Sequence, residues 1–168
     1  MSADNQQERL YAEWIVGFVD GEGCFHVAIN KINKMRLGWQ VLPEFRIVQH
    51  EKDVTILKRI QEFFGFGHVT QNRKDIHGIR MEYRVRGLQN LNELVKFFEQ
   101  HPLQTQTKQK SFEQFCQILY LMNQKKHLKR DGLDKIAKIV STMNRQPLIK
   151  YIESSETIRQ TPNVKVKR

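Results

Sequence analysis

Trp14-Ile-Val-Gly-Phe-Val-Asp-Gly-Glu-Gly-Cys24 is the stretch on which the reading of the whole chain turns. Leu10, Tyr11, Trp14, Ile15 and Phe18 recur at steps of three and four, the spacing that gathers side chains on one face of an α-helix and makes that face a packing surface. Gly17 interrupts the pattern where glycine costs about 1 kcal/mol relative to alanine, and Gly21 follows one turn later. Two missing side chains a turn apart leave a shallow groove along which the backbone of a second helix could approach. Asp20 and Glu22 stand where the helix should end, interleaved with Gly21 and Gly23. Residues two apart on a helix do not face each other, so the two acids are expected to have different jobs. On Asp-Gly-Glu-Gly alone the ordinary reading is local: one acid bonds the turn, the other is solvated, and the glycines cap the helix.

At 168 residues the chain suits one ordinary domain and needs no disulfide staples. Its two cysteines, Cys24 and Cys116, form no CxxC or Cys/His pattern, so neither zinc nor a disulfide framework is expected and a reducing compartment fits best. The formal charge of +10 and a pI near 9.8 call for a polyanionic partner, because phosphate neutralisation and counterion release favour a basic surface. The polar start, Met1-Ser-Ala-Asp-Asn-Gln-Gln-Glu8, has no apolar core and does not read as a secretory signal. No apolar run approaches the length of a membrane span, so a soluble intracellular protein without a membrane partner is expected.

Beyond the opening stretch, Phe25, Val27 and Ile29 alternate with Cys24, His26, Ala28 and Asn30, which predicts a half-buried strand. A basic connector, Lys31-Ile-Asn-Lys-Met-Arg36, leads to a second strand over Trp39 to Gln49, with Val41, Phe45 and Ile47 on its apolar face and Gln40, Glu44 and Arg46 opposite. Pro43 predicts a bulge or an edge position there. Helical spacing returns over Asp53 to Phe64. A second hairpin follows, His68 to Arg73 with Arg80 to Arg86, which turns Met81, Tyr83 and Val85 inward and leaves Arg80, Glu82, Arg84 and Arg86 on the exposed face. Further helices are predicted over Leu88 to Gln100, through Phe112 to Met122, and over Leu133 to Met143. The order is that of an α+β domain, an antiparallel sheet with helices on one face, over residues 1–145. From Leu103 to Arg130 the chain holds six Lys or Arg against one acid, Glu113. Residues 146–168 read as a basic C-terminal tail, bracketed by Pro147 and Pro162.

Ile15-Val-Gly-Phe-Val-Asp-Gly-Glu-Gly23 resembles the signature of the LAGLIDADG family, mostly homing endonucleases with a minority of RNA maturases. Phe18 stands for the motif's second Leu, Gly21 for its second Ala and Glu22 for its second Asp. Element order and spacing agree with the family over about residues 8 to 143. The resemblance implies an αββαββα core with a saddle-shaped antiparallel sheet and the motif helix at a dimer interface, formed here by Trp14, Gly17, Phe18, Asp20 and Gly21. It implies double-stranded DNA as substrate, and Mg2+ held by Glu22 and the carbonyl of Gly21, a site that Ca2+ or Mn2+ could also occupy in vitro. Gln49 matches a polar position that helps order the hydrolytic water, and Lys108 a basic position near the scissile phosphate. A basic residue often found four places after that Gln falls on Asp53 here, with Lys52 next to it.

The polar sheet face mixes Arg, Asn, Gln, His and Glu, side chains whose paired donors and acceptors suit base edges. The expected DNA-binding set is His26, Ala28, Asn30, Lys31, Lys34, Arg36, Gln40, Glu44, Arg46, Thr70, Asn72, Arg73, Arg80, Glu82, Arg84 and Lys110. A solvated sheet face shows polar residues too, and Gln49 and Lys108 on their own would pass as surface residues. One motif gives half a site, so a homodimer with paired motif helices is expected. A maturase acting on RNA and a DNA-binding regulator are the competing readings. Glu22 beside Lys108 and Gln49 favours the nuclease, because binding alone gains nothing from a carboxylate placed against phosphates. The tail is expected to be mobile or to follow the DNA backbone. The family's habit of intron encoding points to an organelle in a eukaryote, otherwise the cytoplasm.

Overall fold

Helix α1, Ala12–Glu22, runs without a loop into strand β1, Gly23–Lys31. The structure, a computed structural model, describes residues 10–143 and Tyr151. After β1 come β2 (Trp39–His50), a 3-10 turn at Glu51–Asp53, α2 (Val54–Phe64), β3 (His68–Asp75), β4 (Gly78–Val85), α3 (Leu88–Gln100), α4 (Gln106–Asn123) and α5 (Arg130–Thr142). The strands form one antiparallel sheet in the order β1-β2-β4-β3, giving an α+β fold.

The apolar positions of α1 divide between two faces. Ile15, Val16 and Val19 are buried, whereas Tyr11 is 63% and Trp14 39% exposed, with Trp14 stacked on Phe18 at 4.8 Å between ring centroids. Steps of three and four identified the helix but did not separate the face turned inward from the face left outside. Gly17 and Gly21 lie on exposed positions, and a Cβ added to either would meet no atom within 4 Å. Gly23 ends the helix in extended backbone, φ −72°, and so is not a left-handed cap. It is glycine because a Cβ there would lie 2.6 Å from Cγ1 of Val19.

The described residues cluster into two compact units, one reaching to His26 and including Pro43–Leu119, the other comprising Val27–Leu42 and the chain from Tyr120 onward. In the first, Phe25 is the centre of an aromatic core, with ring centroids of Phe45, Phe112, Phe115 and Phe98 at 5.1, 5.4, 5.4 and 5.9 Å. Close-packed rings of this kind bury most apolar area per residue. Leu57 and Ile60 of α2 and Leu91 and Leu94 of α3 are buried as their spacing requires. Gly65 stops α2 in the left-handed region at φ 74°.

Several expectations need correction. Pro43 is buried in β2, which is an interior strand and not an edge; the ladder with β4 begins two residues later, at Phe45. A register irregularity lies on β3, between Gln71 and Arg73, where Asn72 is the extra residue. Glu82, expected on the exposed face, is 0% exposed, and Glu44 is 5% exposed. The second hairpin is longer than its sequence suggested, with Asp75 opposite Gly78 across a two-residue turn.

In the second unit α5 begins at Arg130, three residues before the first apolar position, and buries Leu133, Ile136, Ala137 and Val140. Tyr151, which fell in the expected tail, is buried: its ring meets Trp39 edge-on at 5.3 Å, its hydroxyl donates to Asp134, and the Arg130 guanidinium lies 5.7 Å from the ring centre. The rest of the tail lies outside the described residues. Inside α5, a Cβ on Gly132 would run into the backbone carbonyl of Lys126. Helix propensity alone would make Gly132→Ala stabilising by about 1 kcal/mol, but a clash with backbone reverses the sign. The variant is expected to lose about 1–3 kcal/mol in urea unfolding.

Candidate functional site

The two acids at the end of α1 have different fates. Oδ2 of Asp20 accepts from the backbone N–H of Gln104 at 2.8 Å, and Oδ1 accepts from the N–H and the hydroxyl of Thr105 at 3.1 and 2.9 Å. Thr105 precedes α4 and its carbonyl accepts the helix's Gln109 N–H, so Asp20 serves the unpaired donors at that helix start from another element. Glu22 is exposed and makes no hydrogen bond or ion pair among the described residues.

Lys108, in the first turn of α4, donates from Nζ to the carbonyl of Gly23, beside Glu22 in the chain. Both charges stand at the wrong end of their helices. A helix C-terminus carries partial negative charge and disfavours Glu22; a helix N-terminus carries partial positive charge and disfavours Lys108. Asp20 offsets the second conflict, since α4 has no acid in its own first turn.

Gln49 lies at the end of β2 in a surface cleft of about 400 Å³, lined also by Phe18 of the motif helix, Lys52, Asp53, Thr55, Ile56 and Arg59. The structure therefore groups Gln49 with Lys52 and with Arg59 of α2. Gly17 opens onto another cleft, of about 310 Å³, walled by Glu13, Val16, Gln100, His101, Pro102 and Gln104.

Among the described residues no three His, Cys, Asp or Glu side chains come together. From this chain a cation could draw on Glu22 and on carbonyl oxygens at the end of α1, Gly21 among them, and would take its other ligands from elsewhere. An all-oxygen donor set at the negative end of a helix dipole, with a carboxylate engaged in no other contact, fits a hard divalent ion such as magnesium.

On the polar face of the sheet, Arg46 of β2 lies directly across from Arg84 of β4, which in turn faces His68 of β3. Like charges so opposed repel. The two buried acids resolve this. Glu44 bridges Arg46 at 3.5 Å and Arg86 at 2.7 Å, and Glu82 accepts from Arg84 and, at 2.7 Å, from the Asn72 amide. Only the acids are buried, the arginines being 30–48% exposed at their side chains, so an acid that lost its partner would be left as an uncompensated buried charge while the arginine would turn to solvent. Glu44 and Glu82 thus underlie the arginines instead of presenting carboxylates to a ligand. The sequence held a sign of it, the repeated acid, aromatic, arginine triplets Glu44-Phe-Arg46 and Glu82-Tyr-Arg84.

Nearer the hairpin turn, Asp75 meets Arg80 at 3.2 Å and Arg73 at 3.6 Å, and its carboxyl is held below the usual range, first by the His77 N–H and then by Arg80. Thr70 is exposed opposite Glu82, and Lys110 is exposed on α4. In the second unit Asn30, Lys31, Lys34 and Arg36 are exposed, while Ala28 and Gln40 are half-buried.

An α+β protein, with a helix that ends in an unpaired carboxylate and a sheet whose polar face carries a ladder of arginines, is the class that the fold and the site define. The chain belongs to the LAGLIDADG endonuclease family, whose profile matches residues 15–119. A probable intron-encoded endonuclease 3 of Neurospora crassa is 34% identical over 131 residues, 76% of this chain and 24% of that protein. The DNA endonuclease I-CeuI of Chlamydomonas moewusii is 27% identical over 137 residues, 79% of this chain and 62% of that one. Among solved structures, the homing endonuclease I-TnaI superposes with a TM-score of 0.81 at 44% identity, covering 90% of this chain and 99% of that one. I-SmaMI, bound to an uncleaved DNA target in the presence of calcium ions, gives 0.81 at 28% identity, covering 95% and 54%. The chain therefore spans 24% of the Neurospora relative but nearly the whole of I-TnaI. Endonucleases of this family depend on divalent metal. Among the described residues no helix is long and apolar enough to cross a membrane.

His26, on the same sheet face, has its pKa lowered from 6.5, first by burial and then by Arg46, with Glu44 opposing. At neutral pH it offers one donor and one acceptor and no charge. With the folded-state pKa below the unfolded one, the unfolded chain takes up the proton first, so this contribution is full above 6.5 and is lost as pH falls through 6.5 toward the folded value. The His26 ring is expected to titrate below 6.5 in an NMR pH series, and the stability of the protein to fall between about pH 7.5 and about pH 5.5 more than that of a His26→Gln variant.

Proposed function

We propose that this protein is a homing endonuclease that hydrolyses both strands of a long, pseudo-palindromic double-stranded DNA site in a magnesium-dependent reaction, acting as a homodimer. The observation that carries this reading is the pair of charges set against their helix dipoles, Glu22 unpaired at the end of α1 and Lys108 held beside it. Each lowers the stability of its own helix, and a cation at Glu22 and a phosphate at Lys108 relieve both. The relatives support the substrate: I-CeuI is named a DNA endonuclease, and I-SmaMI is seen on a DNA target.

A divalent cation at Glu22 and the Gly21 carbonyl would make a water nucleophilic and stabilise the leaving oxygen. Lys108 offsets negative charge that builds on the phosphate, and Gln49 orients the attacking water through its amide. Asp20 takes no part in the chemistry; it fixes the start of α4 and hence the position of Lys108. His26, Asn30, Gln40, Arg46 and Arg84 are proposed to read base edges, while Lys31, Lys34, Arg36 and Lys110 neutralise phosphates.

The dimer is proposed on the outer face of α1. Tyr11 and Trp14 expose large apolar area there, and the open notch at Gly17 and Gly21 permits a second helix to lie close. Two-fold pairing supplies the second Glu22. An organellar setting is proposed from relatives named for introns, among them a protein in ND4 intron 1 of Podospora anserina.

Glu22→Gln is expected to retain affinity for the target while magnesium-dependent cleavage of a plasmid carrying it falls about a hundredfold or more; cleavage at the parental rate overturns the metal role. At Gly17 an added Cβ meets no atom within 4 Å and the cleft beside it leaves room for a larger side chain, so Gly17→Leu should fold, yet sediment as a monomer. A dimer unchanged by that substitution overturns the helix-notch interface.

A further inference from the structure

We propose that Glu82 is a specificity-determining positioning residue: from beneath the sheet face it fixes the orientation of Arg84 and Asn72, so that Arg84 reads guanine and Asn72 is withheld from reading adenine. This rests on the reading of that face as the DNA interface and goes beyond it by separating the residues that contact bases from the one that sets what they select.

The hydrogen-bond inventory carries the inference. Glu82 is wholly buried, and both of its oxygens are engaged, Oε1 by Arg84 and Oε2 by Nδ2 of Asn72. A carboxylate in such a pair only accepts, so the Asn72 amide must turn its NH2 inward. Its Oδ1 then accepts from Nη1 of Arg73 at 3.1 Å. Bidentate reading of adenine needs one amide to present a donor and an acceptor together to the base edge; here one N–H is fixed on Glu82 and one lone pair of Oδ1 is taken by Arg73, so the amide plane is held and cannot turn freely to a base. The bulge at Asn72 is the backbone feature that coincides with this arrangement.

For Arg84 the same contact has the opposite outcome. A guanidinium has five donors in a rigid plane, and anchoring one of them selects which edge faces outward while leaving enough for the O6 and N7 of guanine. Arg84 remains 30% exposed at its side chain. Glu44 repeats the device under Arg46 and Arg86, so the two clamps can be tested one against the other.

The test is selection of bound DNA from a randomised library, using the full-length protein, the parent and Glu82→Gln in parallel. The glutamine keeps volume but carries an NH2 that conflicts with that of Asn72, which frees the amide to turn. The expected result is a fall of about tenfold in the enrichment of the preferred base at one or two adjacent positions of each half-site, with adenine gaining there. Positions lost on Glu44→Gln should be different ones. Glu82→Asp, which keeps the charge and withdraws it by one methylene, should broaden the same positions and serves if the glutamine variant folds poorly. A parent that enriches a site, with the Glu82 variants retaining it base for base or losing it evenly along its length, overturns the positioning role alone. A parent that enriches no sequence overturns the DNA reading and this inference with it.

Discussion

Three hydrogen bonds to one carboxylate set the geometry on which the candidate active site depends. Asp20 holds the N–H groups of Gln104 and Thr105 and the Thr105 hydroxyl, so the end of α1 and the beginning of α4 are joined at a defined point. The same charge supplies the negative end that α4 needs and does not carry itself, since its first turn offers Lys108 instead. With that conflict offset, Lys108 can stay at a position it would otherwise destabilise and reach across to the Gly23 carbonyl. Asp20 is consumed by structure, and Glu22 is left exposed and without a partner among the described residues.

That division follows from helix geometry. Two acids two residues apart point some 200° apart around a helix, so one can turn toward the chain's own α4 while the other turns away. Had the spacing been three or four, both would have shared a face and competed for the same donors. The glycines between and after them serve the same end by removing bulk: Gly21 leaves the outer side open, and Gly23 lets β1 begin against Val19.

Much of this was legible before the structure. Alternation at Phe25, Val27 and Ile29 gave β1 its buried side, and α3 occupies the residues its apolar spacing marked, because single-sided burial leaves a periodic trace. The resemblance of the motif singled out Glu22 as well. What was not legible depends on contacts between distant residues. Periodicity cannot distinguish a helix face covered by the chain from one left exposed, so Tyr11 and Trp14 were grouped with Ile15. Strand parity put Glu82 on the polar face but could not reveal its burial, which comes with a hydrogen bond from Asn72, the bulge residue of β3. The start of α5 was missed because Gly132 reads as a breaker when its actual role is to clear the Lys126 carbonyl. Tyr151 stood beyond Pro147 in polar sequence, and only its meeting with Trp39 and Asp134 accounts for its burial.

The buried acids also bear on how a chain of charge +10 can keep a defined surface. Arginines placed in direct opposition, as Arg46 and Arg84 are, would spread into solvent and present a diffuse positive field that attracts any polyanion and discriminates between none. A carboxylate beneath each one removes part of that field and restricts the guanidinium to few orientations, which gives up nonspecific attraction in return for direction. Lysines at the exposed edge, such as Lys31 and Lys34, have no such partner among the described residues and keep the full charge. On the proposed reading of this face, long-range attraction and short-range selection would fall to different side chains, and the energetic burden of burying Glu44 and Glu82 would fall on the residues where orientation matters.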